Sequence, residues 1–175
     1  LEAPAIERAF VSAFHHQAGH DRVDALFSAF DLSDDRSYAD FLAAQAAAFL
    51  PIEEALEKAG AARLLQDWPQ RRRSDALRAD LAALSRPLPT RARAPDYADE
   101  ASIWGGLYVL EGSRLGGAVL RKDVGEHLPK SFLSPSPKGS WAAFVAELER
   151  NLYGSVVLHR AGVSALNTFA CFENL

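Results

Sequence analysis

Apolar positions recur along much of the chain at spacings of three and four, the period of one face of a helix. Tyr38, Phe41, Leu42 and Phe49 share such a face with Gln45. Ser33, Asp34 or Asp35 supplies a cap ahead of it, and Pro51 is expected to end this helix or begin the next. Ile52, Leu56, Leu64 and Leu65 mark a second helix. Leu77, Leu81 and Leu84 form a third stripe, closed by Pro87 and Pro89. Trp141, Phe144, Val145, Leu148 and Leu152 form a fourth, after a loop holding Pro129, Pro135, Pro137 and Gly139. No segment alternates in the manner of a strand with hairpin turns. The pattern predicts an all-α multi-helix bundle, one domain over residues 1–175, with about seven or eight helices and short connections.

Composition agrees with the periodicity. The 175 residues include 32 Ala and 23 Leu against 9 Val, 3 Ile and 2 Thr, so helix formers far outnumber the β-branched residues that favour strands. With 49% apolar and 24% charged residues the balance is that of an ordinary globular chain. The net charge of −4, without a basic stripe, argues against a nucleic-acid partner. Arg71, Arg72 and Arg73 form a basic run between helices, expected to be a solvated face, with a docking patch for an acidic partner as the alternative. Cys171, the single cysteine, can form neither an internal disulfide nor a multi-thiolate metal site, and reads as a buried small hydrophobe. His127 and His159 fit no site pattern and read as surface or structural. No apolar run reaches the roughly 18–20 residues that span a bilayer. The acids in LEAPAIERAF do not suit a signal peptide, so a cytoplasmic protein without a membrane partner is expected. Methionine is absent, the initiator included, which suggests a start upstream of Leu1 or residues missing from the chain.

Two segments do not read as ordinary core. In FHHQAGHDRVDALF, His16, His20 and Asp24 are spaced by four and share one helical face. An acid at that spacing accepts a ring N–H from His20 and leaves the other nitrogen free for a metal or a cofactor iron. A surface histidine beside a helix-stabilising acid is the competing account. Adjacent His15 and His16 point to different faces, which argues against a three-histidine zinc site. The second segment, Asp99 to Leu120, holds Gly105, Gly106, Gly112, Gly116 and Gly117. Each glycine costs a helix interior about 1 kcal/mol relative to alanine. Gly112 and Gly116, four apart, clear one face for a close neighbour: another helix, or a flat ligand over which the helix bends. GSRLGG lacks the Lys-Ser/Thr ending of a phosphate loop.

LYVLEGSRLGGAVL resembles the distal-helix motif of bacterial heme oxygenases, above all the small biliverdin-forming ones associated with bacteriophytochromes. HDRVDALFSAFDL is similar to that family's proximal helix, YADFLAAQAAAFLPIEEALE continues the likeness, and LNTFACF resembles its Thr-Phe-x-x-Phe ending. Matching is weaker from about Leu65 to Asp96. The resemblance implies His20 as the proximal heme ligand and Asp24 as its hydrogen-bonding acid. It implies Gly112, Gly116 and Gly117 as the glycines that let the distal helix approach the heme. Ser113 occupies the place where mammalian-type enzymes carry a water-ordering aspartate, and several bacterial members also have serine there. The chain lacks the family's L-R-x-x-T lead and has His16 at the threonine position. For the heme propionates, Arg150, then Lys122, then Arg114 are the candidates, and Phe27, Phe169 and Phe172 are candidate apolar walls.

The activity so implied is oxidative opening of heme at a meso carbon to biliverdin, with release of CO and ferrous iron. Heme is then both substrate and cofactor, with O2 and an external electron donor such as a ferredoxin or flavoprotein reductase. A bacteriophytochrome is a further candidate partner. Two alternatives share the scaffold: a heme-binding or heme-sensing protein without turnover, and another enzyme of the thiaminase-like or quinone-cofactor-synthase type. The former class needs a cysteine nucleophile set among acids, which Cys171 and Glu173 match poorly.

Overall fold

The computed structural model describes residues 29–173, which form seven α-helices and no strand. Helix α1 runs from Asp35 to Ala59. Asp34 caps it by accepting the Ser37 N–H at 2.8 Å, and Gly60, with φ of 101°, ends it in the left-handed region. Helices α2 (Ala61–Leu64) and α3 (Trp68–Arg71) are single turns. They are followed by α4 (Ser74–Ala83), α5 (Glu100–Leu120), α6 (Ser140–Asn151) and α7 (Ser155–Glu173).

Pro51 neither ends a helix nor begins one. It lies buried inside α1, so Ile52 and Leu56 continue the first helix rather than starting a second. A proline at this position removes the N–H that would satisfy the Ala47 carbonyl one turn earlier. The Ala92 N–H, from the extended segment after α4, donates to that carbonyl at 2.8 Å. The chain therefore repairs the gap in the helix with a tertiary bond. Gly60, not Pro51, is the break, and Leu64 and Leu65 fall beyond it.

The core is built where α1, α4, α5, α6 and α7 turn their apolar stripes inward. Phe41, Phe49, Trp104, Leu107 and Phe144 are among its fully buried members, each stabilising the fold by about 1.5–3 kcal/mol through burial. Helix α5 begins with a capping box in which Asp99 and Ser102 satisfy each other's backbone N–H. It then packs closely on α7. The Ser164 hydroxyl donates to the Ser102 carbonyl at 2.7 Å, and Thr168 donates to the Ser164 carbonyl at 2.8 Å. Thr168 also meets the Tyr97 hydroxyl at 3.0 Å, which ties the segment before α5 to both helices. No described helix is long and apolar enough to cross a membrane.

Candidate functional site

Helix α5 stays unbroken through all five glycines, and their surroundings divide them into two kinds. A Cβ at Gly105 would lie 2.2 Å from the Ala161 carbonyl oxygen, and one at Gly106 would lie 2.6 Å from the Tyr97 ring. These two exist for packing. At Gly117 the added atom would press on Leu133 at 3.2 Å. At Gly112 and Gly116 it would meet nothing within 4 Å among the described residues. One face of α5 therefore presents bare backbone, with the large apolar side chains of Leu115 and Val119 exposed beside it, the latter by 62%. A strip without side chains bordered by exposed apolar groups fits a broad, flat, apolar ligand. Of the two neighbours the sequence left open, no described helix occupies this face.

The opposite side of the same turn is held by buried charge. Arg71 donates to Glu111 Oε2 at 2.7 Å, with side chains 5% and 4% exposed. Its Nε reaches Asp67 at 2.8 Å. Burial opposes a charged Arg71, but Asp67 and Glu111 outweigh it and hold the proton more tightly than usual. Arg73 donates to the Leu110 carbonyl and to Ser113 Oγ, both at 2.7 Å. Its guanidinium lies against the edge-to-face Phe49 and Phe132 pair, 4.7 and 5.0 Å from the ring centres. Burial, and next the neighbouring Arg114 cation, lowers the proton affinity of Arg73. Glu53 accepts the backbone N–H groups of Arg73 and Ser74 at 2.7 and 3.0 Å, and Arg114 donates to the Arg71 carbonyl.

The basic run at 71–73 is thus no solvated face. Arg71 and Arg73 are 6% and 5% exposed, and only Arg72 faces outward. The sequence signal for this lay in Glu111, a carboxylate on an otherwise apolar stripe that needs a buried cation. Arg114, one of the propionate candidates, is 9% exposed and belongs to this layer. Ser113 holds its place beside Gly112, but its hydroxyl proton is given to the Leu110 carbonyl at 2.7 Å. Arg150 is exposed near the end of α6 and paired with Glu147. Lys122 is exposed in the turn just after α5. Phe172 is core, and Phe169 is partly buried against it. His20 and Asp24, with His15, His16 and Phe27, lie outside the described residues.

His127 is exposed and bonded to Asp35 at 2.8 Å, a structural role, and His159 is exposed. Cys171 is only half-buried. Its thiol donates to the Arg93 and Asn167 carbonyls at 3.5 and 3.4 Å, and burial raises its pKa. It lines a shallow cleft between α7 and residues 93–99. No group of three metal-ligating side chains occurs among the described residues.

The fold is shared with the NO- and CO-bound heme oxygenase from Neisseria meningitidis, with a TM-score of 0.83 at 24% identity over 98% of this chain and 90% of that one. A heme oxygenase from Xanthomonas campestris pv. campestris is 35% identical over 113 residues, 61% of this chain and 68% of its own length. The heme oxygenase PigA from Pseudomonas aeruginosa is 34% identical over 141 residues, 74% of this chain and 71% of its own length. No family model matches the chain. With two relatives this similar, each covered over more than two thirds of its length, the chain belongs to the heme oxygenase family.

Proposed function

We propose that the protein binds heme against the glycine-bearing face of α5 and opens it at a meso carbon, giving biliverdin, CO and ferrous iron. The supporting observation is the bare strip at Gly112 and Gly116, open among the described residues and flanked by exposed Leu115 and Val119. Heme, when bound, supplies the iron that activates O2 and the carbon that is oxidised. The chain supplies the setting. Gly112 and Gly116 keep side chains out of the reaction space, and Leu115 and Val119 offer apolar contact to the ring. Gly117 lets α5 sit close to Leu133 behind that face. His20 is the proposed iron ligand, with Asp24 accepting its other ring N–H and fixing the tautomer. Arg73 holds the Ser113 hydroxyl and the Leu110 carbonyl, which leaves Ser113 as an acceptor rather than a ready proton donor. Arg150 and Lys122, both exposed cations, are the candidates for the heme carboxylates. Electrons come from an external donor, a ferredoxin or a flavoprotein reductase, and chromophore supply to a bacteriophytochrome is one use of the product.

The test is a heme reaction followed by absorption. Purified protein is mixed with hemin and given ascorbate in air, beside a His20→Ala variant. The Soret band is expected to fall as a broad red biliverdin band rises, and the variant should do neither. A Soret complex that persists under reductant would leave a heme binder or sensor. If no complex forms, the heme reading fails.

A further inference from the structure

The buried charges behind α5 are more than an ion pair. Arg71 touches α5 twice, through its guanidinium on Glu111 and through its carbonyl, which accepts from Arg114. The two contacts lie on either side of Gly112 and Ser113. The same guanidinium reaches Asp67 at 2.8 Å on the α3 side, approaches the Ser140 carbonyl at 3.4 Å at the start of α6, and lies over the Phe144 ring. One residue thus fixes the turn of α5 that carries Gly112 relative to two other elements.

A buried ion pair is a poor way to gain stability, because desolvation of both charges offsets their attraction, and well-packed apolar residues serve as well or better. What a forked guanidinium adds is direction: it fixes rotation and translation of α5, which an apolar contact leaves free to slide. Three buried guanidinium groups and the buried Glu111 carboxylate meet at this one turn, and Glu53 holds the backbone of Arg73 and Ser74 behind it. On the other side of that turn Gly112 and Gly116 present backbone with no described side chain over it, and where that backbone lies depends on where the helix sits.

We propose that Arg71, with Glu111 and Arg114, is a positioning clamp that sets how closely the Gly112–Gly116 strip approaches bound heme, and through that the meso carbon that opens. The proposal rests on the heme reading above, and its test separates the two. Wild type is compared with Glu111→Gln, with the double variant Arg71→Met plus Glu111→Leu, and with Leu77→Ala. The double variant leaves no orphaned charge on this pair. Leu77→Ala opens a cavity on α4, which packs on α1, and serves as a destabilised control.

Three readouts are taken. The first needs no heme: amide exchange at residues 112–117 should quicken about tenfold or more in the double variant beyond any change in Leu77→Ala. The second is the pH at which the ferric heme complex passes between its acid and alkaline spectra, expected to move by about half a unit or more in both clamp variants and not in the control. The third is the distribution of biliverdin isomers, expected to shift in the clamp variants alone. If the double variant folds and keeps wild-type exchange, spectral transition and isomers, the clamp is structural only and the proposal is overturned. Should Glu111→Gln fail to fold, the double variant still decides. If wild type binds no heme, the functional reading falls, and the exchange experiment judges the clamp by itself.

Discussion

At the scale of single residues, the five glycines of α5 make opposite predictions although they share one helix. Gly105→Ala would force a methyl group onto the Ala161 carbonyl oxygen, and overpacking of this kind costs about 1–3 kcal/mol. Gly112→Ala meets no described neighbour, so the gain in helix propensity should stabilise the heme-free protein by about 0.5–1 kcal/mol. The same methyl group intrudes on the proposed heme face and should weaken heme binding. Urea unfolding of both variants, with a heme titration of Gly112→Ala, checks the pair. Stability and binding moving together at Gly112 would contradict a ligand-facing role. The sequence could not assign these roles, because Gly105 and Gly112 are seven apart, nearly two full turns, and fall on almost the same side of the helix. What separates them is where α7 packs: its Ala161 and Ser164 lie over Gly105 and not over Gly112.

At the scale of elements, the helical stripes were legible because each buries an apolar face of the expected period, and α1, α4 and α6 lie where those stripes predict. The boundary that Pro51 predicts is absent for a definite reason. Its penalty assumes an orphaned carbonyl, and the repair comes from Ala92, 45 positions beyond Ala47 in sequence, where no local pattern points. This has a measurable consequence. A proline inside a helix ordinarily costs about 3 kcal/mol relative to alanine. In Pro51→Ala the restored N–H must share the Ala47 carbonyl with Ala92, so the stabilisation expected is below about 1 kcal/mol. Urea denaturation measures it. A gain near the full helix value would mean that the Ala92 bond contributes nothing to holding α1 together.

At the scale of the whole molecule, charge was the least legible property, since a basic run in a sequence does not say what it will face. Arg71 is buried against Glu111, and Arg73 against the Leu110 carbonyl, the Ser113 hydroxyl and two phenyl rings, all of them distant in sequence from the run itself. Two buried tyrosines, Tyr38 on the stripe of α1 and Tyr97 in the segment before α5, contribute to the response to alkaline pH. Burial raises the pKa of Tyr38 well above the ordinary phenol range, with Asp80 adding and Arg121 opposing. Burial does the same to Tyr97, against its hydrogen bond with Thr168. A group whose folded pKa exceeds its unfolded value contributes stability that is complete below the unfolded pKa and is lost as pH rises beyond it. With an unfolded value near 10, each tyrosine should therefore cost about 1.4 kcal/mol of stability by pH 11. Arg73, whose lowered proton affinity acts with the opposite sign, is common to wild type and Tyr97→Phe and cancels in their difference. Tyr97→Phe gives up one hydrogen bond, worth about 1 kcal/mol at neutral pH, and removes one titrating group. Unfolding free energies measured from about pH 9 to 11.5 should fall less steeply in the variant, by up to about 1.4 kcal/mol per unit above pH 10. The two curves should converge near pH 11. Parallel curves would mean that the Tyr97 phenol ionises as readily in the folded chain as in the unfolded one, and that the Tyr97–Thr168 tie between α7 and the segment before α5 is open to solvent.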